Sequence, residues 1–205
     1  TYVDDDIFLN TRWRREQSPY IVRRKLLRVM TGATLTIEAG VEVRFEAGCA
    51  LLVGDERFGE DGAGKLVIAG EPSQPVILTA NTPAPTPGYW NGLFFGFYDQ
   101  GSILRYADIR YGGGGGDPWA GKVRYGNINV YYARLQLDHC TIAYSARHGI
   151  ELDLDDAHIK GCTFFANGSA PEHYDIWGEV TALPQTIEDC RFVGTQPFAL
   201  SLPAG

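Results

Sequence analysis

Leu135-Gln136-Leu137-Asp138-His139-Cys140-Thr141-Ile142 is followed by Ala157-His158-Ile159-Lys160-Gly161-Cys162-Thr163-Phe164, and then by Gln185-Thr186-Ile187-Glu188-Asp189-Cys190-Arg191-Phe192. The wording drifts, but each phrase keeps its cysteine, and successive cysteines stand 22 and 28 residues apart. Self-similarity at that period marks stacked structural units rather than a single closed core. Repetition decides the fold before any site is considered.

Aligned on this phrase, the chain divides into six units of three short apolar strands separated by turns. The first strand position holds residues 35–37, 66–68, 103–105, 135–137, 157–159 and 185–187. The second holds 41–45, 76–80, 109–111, 141–145, 163–167 and 191–195. The third holds 50–53, 93–95, 128–132, 150–154, 174–179 and 198–202. Within a strand the faces alternate: Ile150, Leu152 and Leu154 point one way, Glu151 and Asp153 the other. A strand of this length cannot bury its own apolar face, whereas coils stacked about 4.8 Å apart pair every strand with its counterparts and join the faces into one column. The sequence therefore predicts an all-β chain, a parallel β-helix of about six three-strand coils over residues 20–205. A polar N-terminal cap or extension covers residues 1–19, with Trp13 closing the first coil.

Ser18-Pro19-Tyr20-Ile21-Val22, with Thr31-Gly32-Ala33-Thr34-Leu35-Thr36-Ile37-Glu38-Ala39-Gly40-Val41-Glu42-Val43-Arg44-Phe45, resembles the opening of secreted right-handed parallel β-helix proteins of the pectate-lyase-like superfamily. Gly88-Tyr89-Trp90-Asn91-Gly92-Leu93-Phe94-Phe95 and Leu104-Arg105-Tyr106-Ala107-Asp108-Ile109-Arg110-Tyr111-Gly112-Gly113 are similar to later coils of that group. The resemblance spans roughly residues 18–202. It implies the fold and a secreted or cell-surface location. It selects no activity, because these are core and turn residues and the superfamily includes lyases, hydrolases, adhesins and proteins with no chemistry.

Composition sets the outer bounds. A net charge of −7 argues against a nucleic-acid partner, and no apolar run approaches the roughly 20 residues a membrane span needs. Arg12, Arg14, Arg15, Arg23, Arg24, Lys25 and Arg28 form one basic stretch, read as a solvated face of the cap. That stretch has no small-residue cleavage site after an apolar core, so it does not read as a signal peptide. A start at Thr1 and an end at Leu202-Pro203-Ala204-Gly205 with no polar cap are expected of a piece of something longer, or of a coil that packs end to end on another copy.

The turn from first to second strand is short and regular, whereas the turn from second to third swells at 81–92, 112–127 and 168–173. Insertions in a solenoid collect on the side that binds something, which places any site along this edge and on the outward third-strand face. The outward positions there are Asn129 and Tyr131, then Glu151 and Asp153, then Asp175 and Trp177, expected on one flat exposed surface. Glu151, Asp153 and Asp175 are candidate acid, base or calcium groups, since paired carboxylates cleave glycosidic bonds and calcium takes oxygen ligands. Tyr131, Trp177 and Asn129 are candidate ligand contacts. So is Trp119, at the tip of a turn opened by the run Gly112 to Gly116, which reads as flexible and lacks the lysine of a phosphate loop. Asp153 and Asp155 are weak calcium candidates; no other cofactor is implied. A basic partner for the acids is missing from the face, the nearest being Arg147, His148 and His173 in turns.

Cys140, Cys162 and Cys190 occupy equivalent positions before the second strand. Stacking would allow a Cys140–Cys162 bridge, but free cysteine packs as a small hydrophobe and a buried thiol ladder is the preferred reading. Absence of Cys-x-x-Cys spacing argues against zinc. Ser145 and His148 lack an orienting acid, and Tyr89 and Trp90 are expected to pin the loop beside them to the coil. Two functions remain. One is a non-enzymatic β-helix module that binds or presents itself to extracellular polysaccharide or protein. The other is a polysaccharide lyase or glycoside hydrolase using the third-strand face.

Overall fold

The computed structural model describes residues 1–116, 123–153, 156–168, 170–178, 186–194 and 200–201. Three all-parallel sheets wind into a right-handed β-helix. Sheet 1 stacks Tyr2–Val3, Tyr20–Val22, Glu42–Phe45, Val76–Ala80, Ala107–Arg110, Thr141–Ala143, Thr163–Phe165 and Arg191–Val193. Sheet 2 stacks Leu26–Val29, Ala50–Val53, Gly92–Phe95, Ile128–Tyr131, Ile150–Asp153, Ile176–Gly178 and Leu200–Ser201. Sheet 3 stacks Thr11–Trp13, Ala33–Glu38, Gly64–Ala69, Ile103–Arg105, Gln136–Asp138, His158–Lys160 and Thr186–Glu188. All six coils expected from the repeat are present in the expected register.

Another coil precedes them. Thr11–Trp13, Tyr20–Val22 and Leu26–Val29 supply one strand to each sheet, while Tyr2–Val3 and a bridge from Ile7 to Val29 begin a further turn. The N-terminal segment thus carries strands of its own. It is polar by composition, but Val3, Ile7 and Trp13 are buried. Trp13 stacks on Tyr20 with ring centroids 4.7 Å apart. The basic stretch there is answered locally, by Asp4 for Arg23, Asp6 for Arg24, and Asp6 with Asp55 for Arg28.

One core column runs through all the coils. Leu27, Leu51, Leu93, Ile128, Ile150 and Ile176 pair rung by rung, and Val43, Leu78, Ile109, Ile142 and Phe164 do the same from sheet 1. All of these are fully buried, and each contributes about 1.5–3 kcal/mol on leaving water. Corners turn on left-handed residues in matching places: Tyr106, His139, Gly161 and Asp189 after sheet 3, and Tyr111, Tyr144 and Ala166 after sheet 1. A single such residue redirects the chain without a loop. No helix among the described residues is long and apolar enough to cross a membrane.

The sheet 3 to sheet 1 corner explains the cysteines. Register puts Val41, Val76, Ala107, Cys140, Cys162 and Cys190 in one inward column, so the thiols continue a row of small apolar side chains. All four cysteines are free thiols; Cys49, Cys140 and Cys162 are buried. Cys140 donates its backbone N–H to Cys162 Sγ at 3.4 Å. The neighbouring Cys140 side chain, then burial, push the Cys162 thiol far up, against the lowering effect of that backbone contact. A thiol-reagent titration is expected to count four thiols in denaturant and at most the part-exposed Cys190 in the native protein. Two missing thiols in denaturant would indicate a bridge instead.

Candidate functional site

Sheet 2 has an outward row that pairs from coil to coil: Arg28, Leu52, Phe94, Asn129, Glu151, Trp177 and Ser201. Strand alternation thus brings Asn129 and Glu151 to one face as predicted, with Tyr131 beside Asp153 at its edge. The face is not open. Asn129, Glu151 and Asp153 are buried, and Tyr131 and Trp177 are only partly exposed. The flat exposed surface expected from alternation is covered there by Arg124, Tyr125 and Gly126 of the chain's own insertion, and alternation alone cannot see that cover.

The glycine run that opens the insertion is packed rather than flexible. Gly113 adopts φ +76°, and a Cβ there would overlap Ser145 Oγ and the Tyr125 carbonyl. Beyond it Gly116 and Arg124 exchange two backbone hydrogen bonds of 3.1 and 2.9 Å, closing the base of a hairpin. Trp119, the ligand contact expected from sequence, lies outside the described residues, as does Asp155. Under the hairpin, Ala50, Leu52 and Phe94 form a second small apolar cluster on the outer side of the sheet.

Three outward residues fasten this hairpin. Asn129 accepts from the Gly126 N–H at 2.9 Å and donates to the Gly126 carbonyl at 2.9 Å. Glu151 accepts from the Tyr125 N–H at 3.0 Å and from Arg124 at 3.3 Å. Asp153 accepts from the other Arg124 terminal nitrogen at 2.7 Å. The Arg124 side chain is only 1% exposed, and its guanidinium lies 5.2 Å from the Tyr131 ring centroid. One guanidinium thus serves two carboxylates of the same sheet 2 strand, away from water. Charges desolvated in this way are tolerated only with near-complete pairing. Arg124 is the basic partner that the sequence reading did not find. Its only sequence signal is its place in the longest insertion, beside a face rich in acids.

Asp175 belongs elsewhere. It is buried at the corner between sheets 1 and 2, where its Oδ1 accepts from Asn167 Nδ2 at 2.8 Å. Burial raises its carboxyl, and the Asn167 hydrogen bond only partly offsets this. Asn167 also donates to the Ile142 carbonyl at 3.0 Å and accepts from the Ser145 N–H at 3.2 Å. Two coils earlier along the corner, Asn127 accepts from Gly112 N–H at 2.7 Å and donates to the Ala143 carbonyl at 2.8 Å. The three carboxylates therefore do not converge. Asp175 serves the corner, and Glu151 and Asp153 serve Arg124. Calcium at Asp153 would face that guanidinium. Among the described residues no group of three or more His, Cys, Asp or Glu side chains is placed to hold a metal ion.

Next to Glu151 across the coils, Trp177 stacks on His148 with ring centroids 5.3 Å apart. His148 is buried and accepts the Tyr174 N–H at 3.2 Å through Nδ1, which leaves its proton on Nε2. Burial, then the neighbouring Arg147 charge, lowers His148 to about 4. Arg147 in turn reaches His173 Nε2 at 3.2 Å and lies 4.5 Å from the Tyr125 ring centroid. Of the basic candidates named from sequence, Arg147 meets the hairpin at the Tyr125 ring, while His148 and His173 accept the backbone N–H groups of Tyr174 and Ala170. Trp90 is fully buried, stacked on Phe45 at 4.1 Å, and donates Nε1–H to the Arg110 carbonyl.

A family model described as a pectate-lyase-like β-helix domain matches residues 9–141 of the chain. No curated protein and no solved structure matches it.

Two outcomes follow from this geometry. Arg124→Met strands two buried carboxylates and is expected to cost about 3–5 kcal/mol in denaturant unfolding. Arg124→Met with Glu151→Gln and Asp153→Asn should recover much of that loss; a triple variant no better than the single one would contradict the shared pairing. His148 stays neutral in the fold below the pH at which the unfolded chain protonates. Its contribution is therefore full above about pH 6.5 and is lost as pH falls toward 4, at about 1.4 kcal/mol per unit. The stability difference between wild type and His148→Asn should shrink across that window, and a difference independent of pH would refute the assignment.

Proposed function

The chain belongs to the pectate-lyase-like β-helix family, and from that premise we propose that it is a non-enzymatic module that presents the outside of its coils to extracellular carbohydrate or protein. One observation carries this reading. The side chains best suited to glycoside chemistry, Glu151 and Asp153, are buried and engaged by Arg124 and Tyr125 of the chain's own hairpin. Glycoside cleavage needs a carboxyl pair facing a cleft that admits the sugar and a water. A rigid column with its acidic face closed has instead the character of a scaffold, and its half-exposed aromatic residues, Trp177 among them, are contact groups.

A lyase or hydrolase is the second reading, favoured by the one basic group beside two acids that Arg124 creates. It requires the hairpin to lift from sheet 2. Incubation with a panel of neutral and acidic polysaccharides separates the two. The module reading expects saturable binding to at least one polymer with no new reducing ends and no unsaturated products. Product release that disappears in Glu151→Gln/Asp153→Asn would overturn it.

A further inference from the structure

The opposite corner, from sheet 2 to sheet 3, carries a surface that the acidic face does not use. Gly54, at φ +80°, lets the turn of the next coil lie directly on it; a Cβ there would overlap the backbone of Gly96 and Asp99. That turn is fixed by Gly96 N–H on the Val53 carbonyl at 2.8 Å, Asp99 N–H on Gly96 at 2.8 Å and Gln100 N–H on Gly64 at 2.9 Å. Asp99 closes it from the side, accepting from the Gly101 and Ser102 N–H groups at 3.1 and 3.0 Å and from the Ser102 hydroxyl.

So built, the turn pushes Phe97 outward to 56% exposure. At the equivalent place in the following coil, two residues past the paired Phe95 and Val130, stands Tyr132 at 45% exposure. Their rings meet edge to face with centroids 6.2 Å apart, and Tyr98 and Tyr131 brace them from either side at 5.1 and 4.6 Å. Tyr132 sits in the left-handed region at φ 54°, a costly conformation for a tyrosine. The pair is a braced aromatic platform rather than a stray exposed side chain.

Phe97 and Tyr98 also line a groove of about 650 Å³ whose other walls include Thr31, Glu60, Asp61 and Asp99. Its volume is that of a small-ligand site. Glu60 and Asp61 belong to a 3₁₀ segment, Glu56–Gly62, anchored where Asp55 pairs with Arg28 and Arg57. The groove offers hydrogen-bond acceptors and aromatic faces, and among the described residues no Lys or Arg lines it. Lys65 reaches Asp99 only through its field, and burial still raises that carboxyl to about 6.

We infer that this groove, together with the Phe97–Tyr132 platform beside it, binds a neutral oligosaccharide, with sugar rings against Phe97 and Tyr132 and sugar hydroxyls donating to Glu60 and Asp61. An aromatic face takes the apolar C–H side of a sugar ring, and carboxylates accept its hydroxyls. A polyuronate would bring one carboxylate per sugar to three acidic side chains without a lining cation, on a chain of net charge −7. The inference rests on the binding-module reading and selects neutral over acidic glycans within it.

Calorimetric titration of the chain with cellohexaose, mannohexaose, xylohexaose and hexagalacturonate tests it. At least one neutral hexasaccharide is expected to bind and hexagalacturonate not to bind. Phe97→Ala/Tyr132→Ala should weaken binding about tenfold or more, and Phe97→Trp/Tyr132→Phe, which keeps the platform, should retain it. Unchanged binding by the alanine pair, a preference for hexagalacturonate, or no neutral binding at millimolar sugar would overturn the groove. In the first two cases the module reading survives. Cleavage of a neutral hexasaccharide that the alanine pair abolishes would support the groove and overturn the non-enzymatic reading.

Discussion

A strand of three or four residues satisfies neither its backbone nor its apolar face alone, so each coil here depends on in-register pairing with the coils above and below. Parallel pairing in three sheets makes the register a property of the whole column, and a one-residue slip would turn a core row into a surface row. Corners with a single left-handed residue keep that register at two edges of the triangle. At the second of these edges, from sheet 1 to sheet 2, Asn127 and Asn167 add side-chain hydrogen bonds to neighbouring coils. Insertions are tolerated there because the register is held by amides rather than by loop length.

The longest insertion shows how a solenoid can close its own face. Sheet 2 presents Asn129, Glu151 and Asp153 in adjacent coils, and the hairpin from 112–127 returns with groups that match them: two backbone N–H donors and one guanidinium. Burying two carboxylates would be prohibitive without Arg124, and burying Arg124 would be prohibitive without them. What alternation presents as a reactive surface is, in the folded chain, an internal dock. A surface that remains open lies at the corner from sheet 2 to sheet 3, where the Phe97 and Tyr132 rings and the carboxylates of Glu60 and Asp61 face water.

The fold was legible because its signal is repeated. A drifting phrase with a fixed cysteine places three strands per coil, and a period-2 pattern within each strand assigns its inward residues, Leu137, Ile142 and Ile150 among them. The N-terminal coil was less legible because polar residues surround its few core positions, Val3, Ile7 and Trp13. The candidate site was legible only by half. Period-2 alternation identifies Asn129, Glu151 and Asp153 as facing out of the coil, but whether outward means exposed depends on a loop that has no period. Arg124 and its partners are 27 and 29 residues apart. The Phe97–Tyr132 platform escaped notice for the same reason: its two members come from corners of different coils, 35 positions apart in the chain, and only the coil register brings them together.

The closed acidic face is the claim on which the functional reading turns, and amide hydrogen exchange at Tyr125 and Gly126 tests it most directly. These N–H groups are bonded to Glu151 and Asn129 from a loop joined at its base by the Gly116–Arg124 backbone bridge. A docked hairpin predicts protection at both amides comparable to the neighbouring sheet 2 strand Ile128–Tyr131. Exchange at the rate of an unstructured loop, with the strand still protected, would mean that the hairpin stands open and that Glu151 and Asp153 face solvent after all.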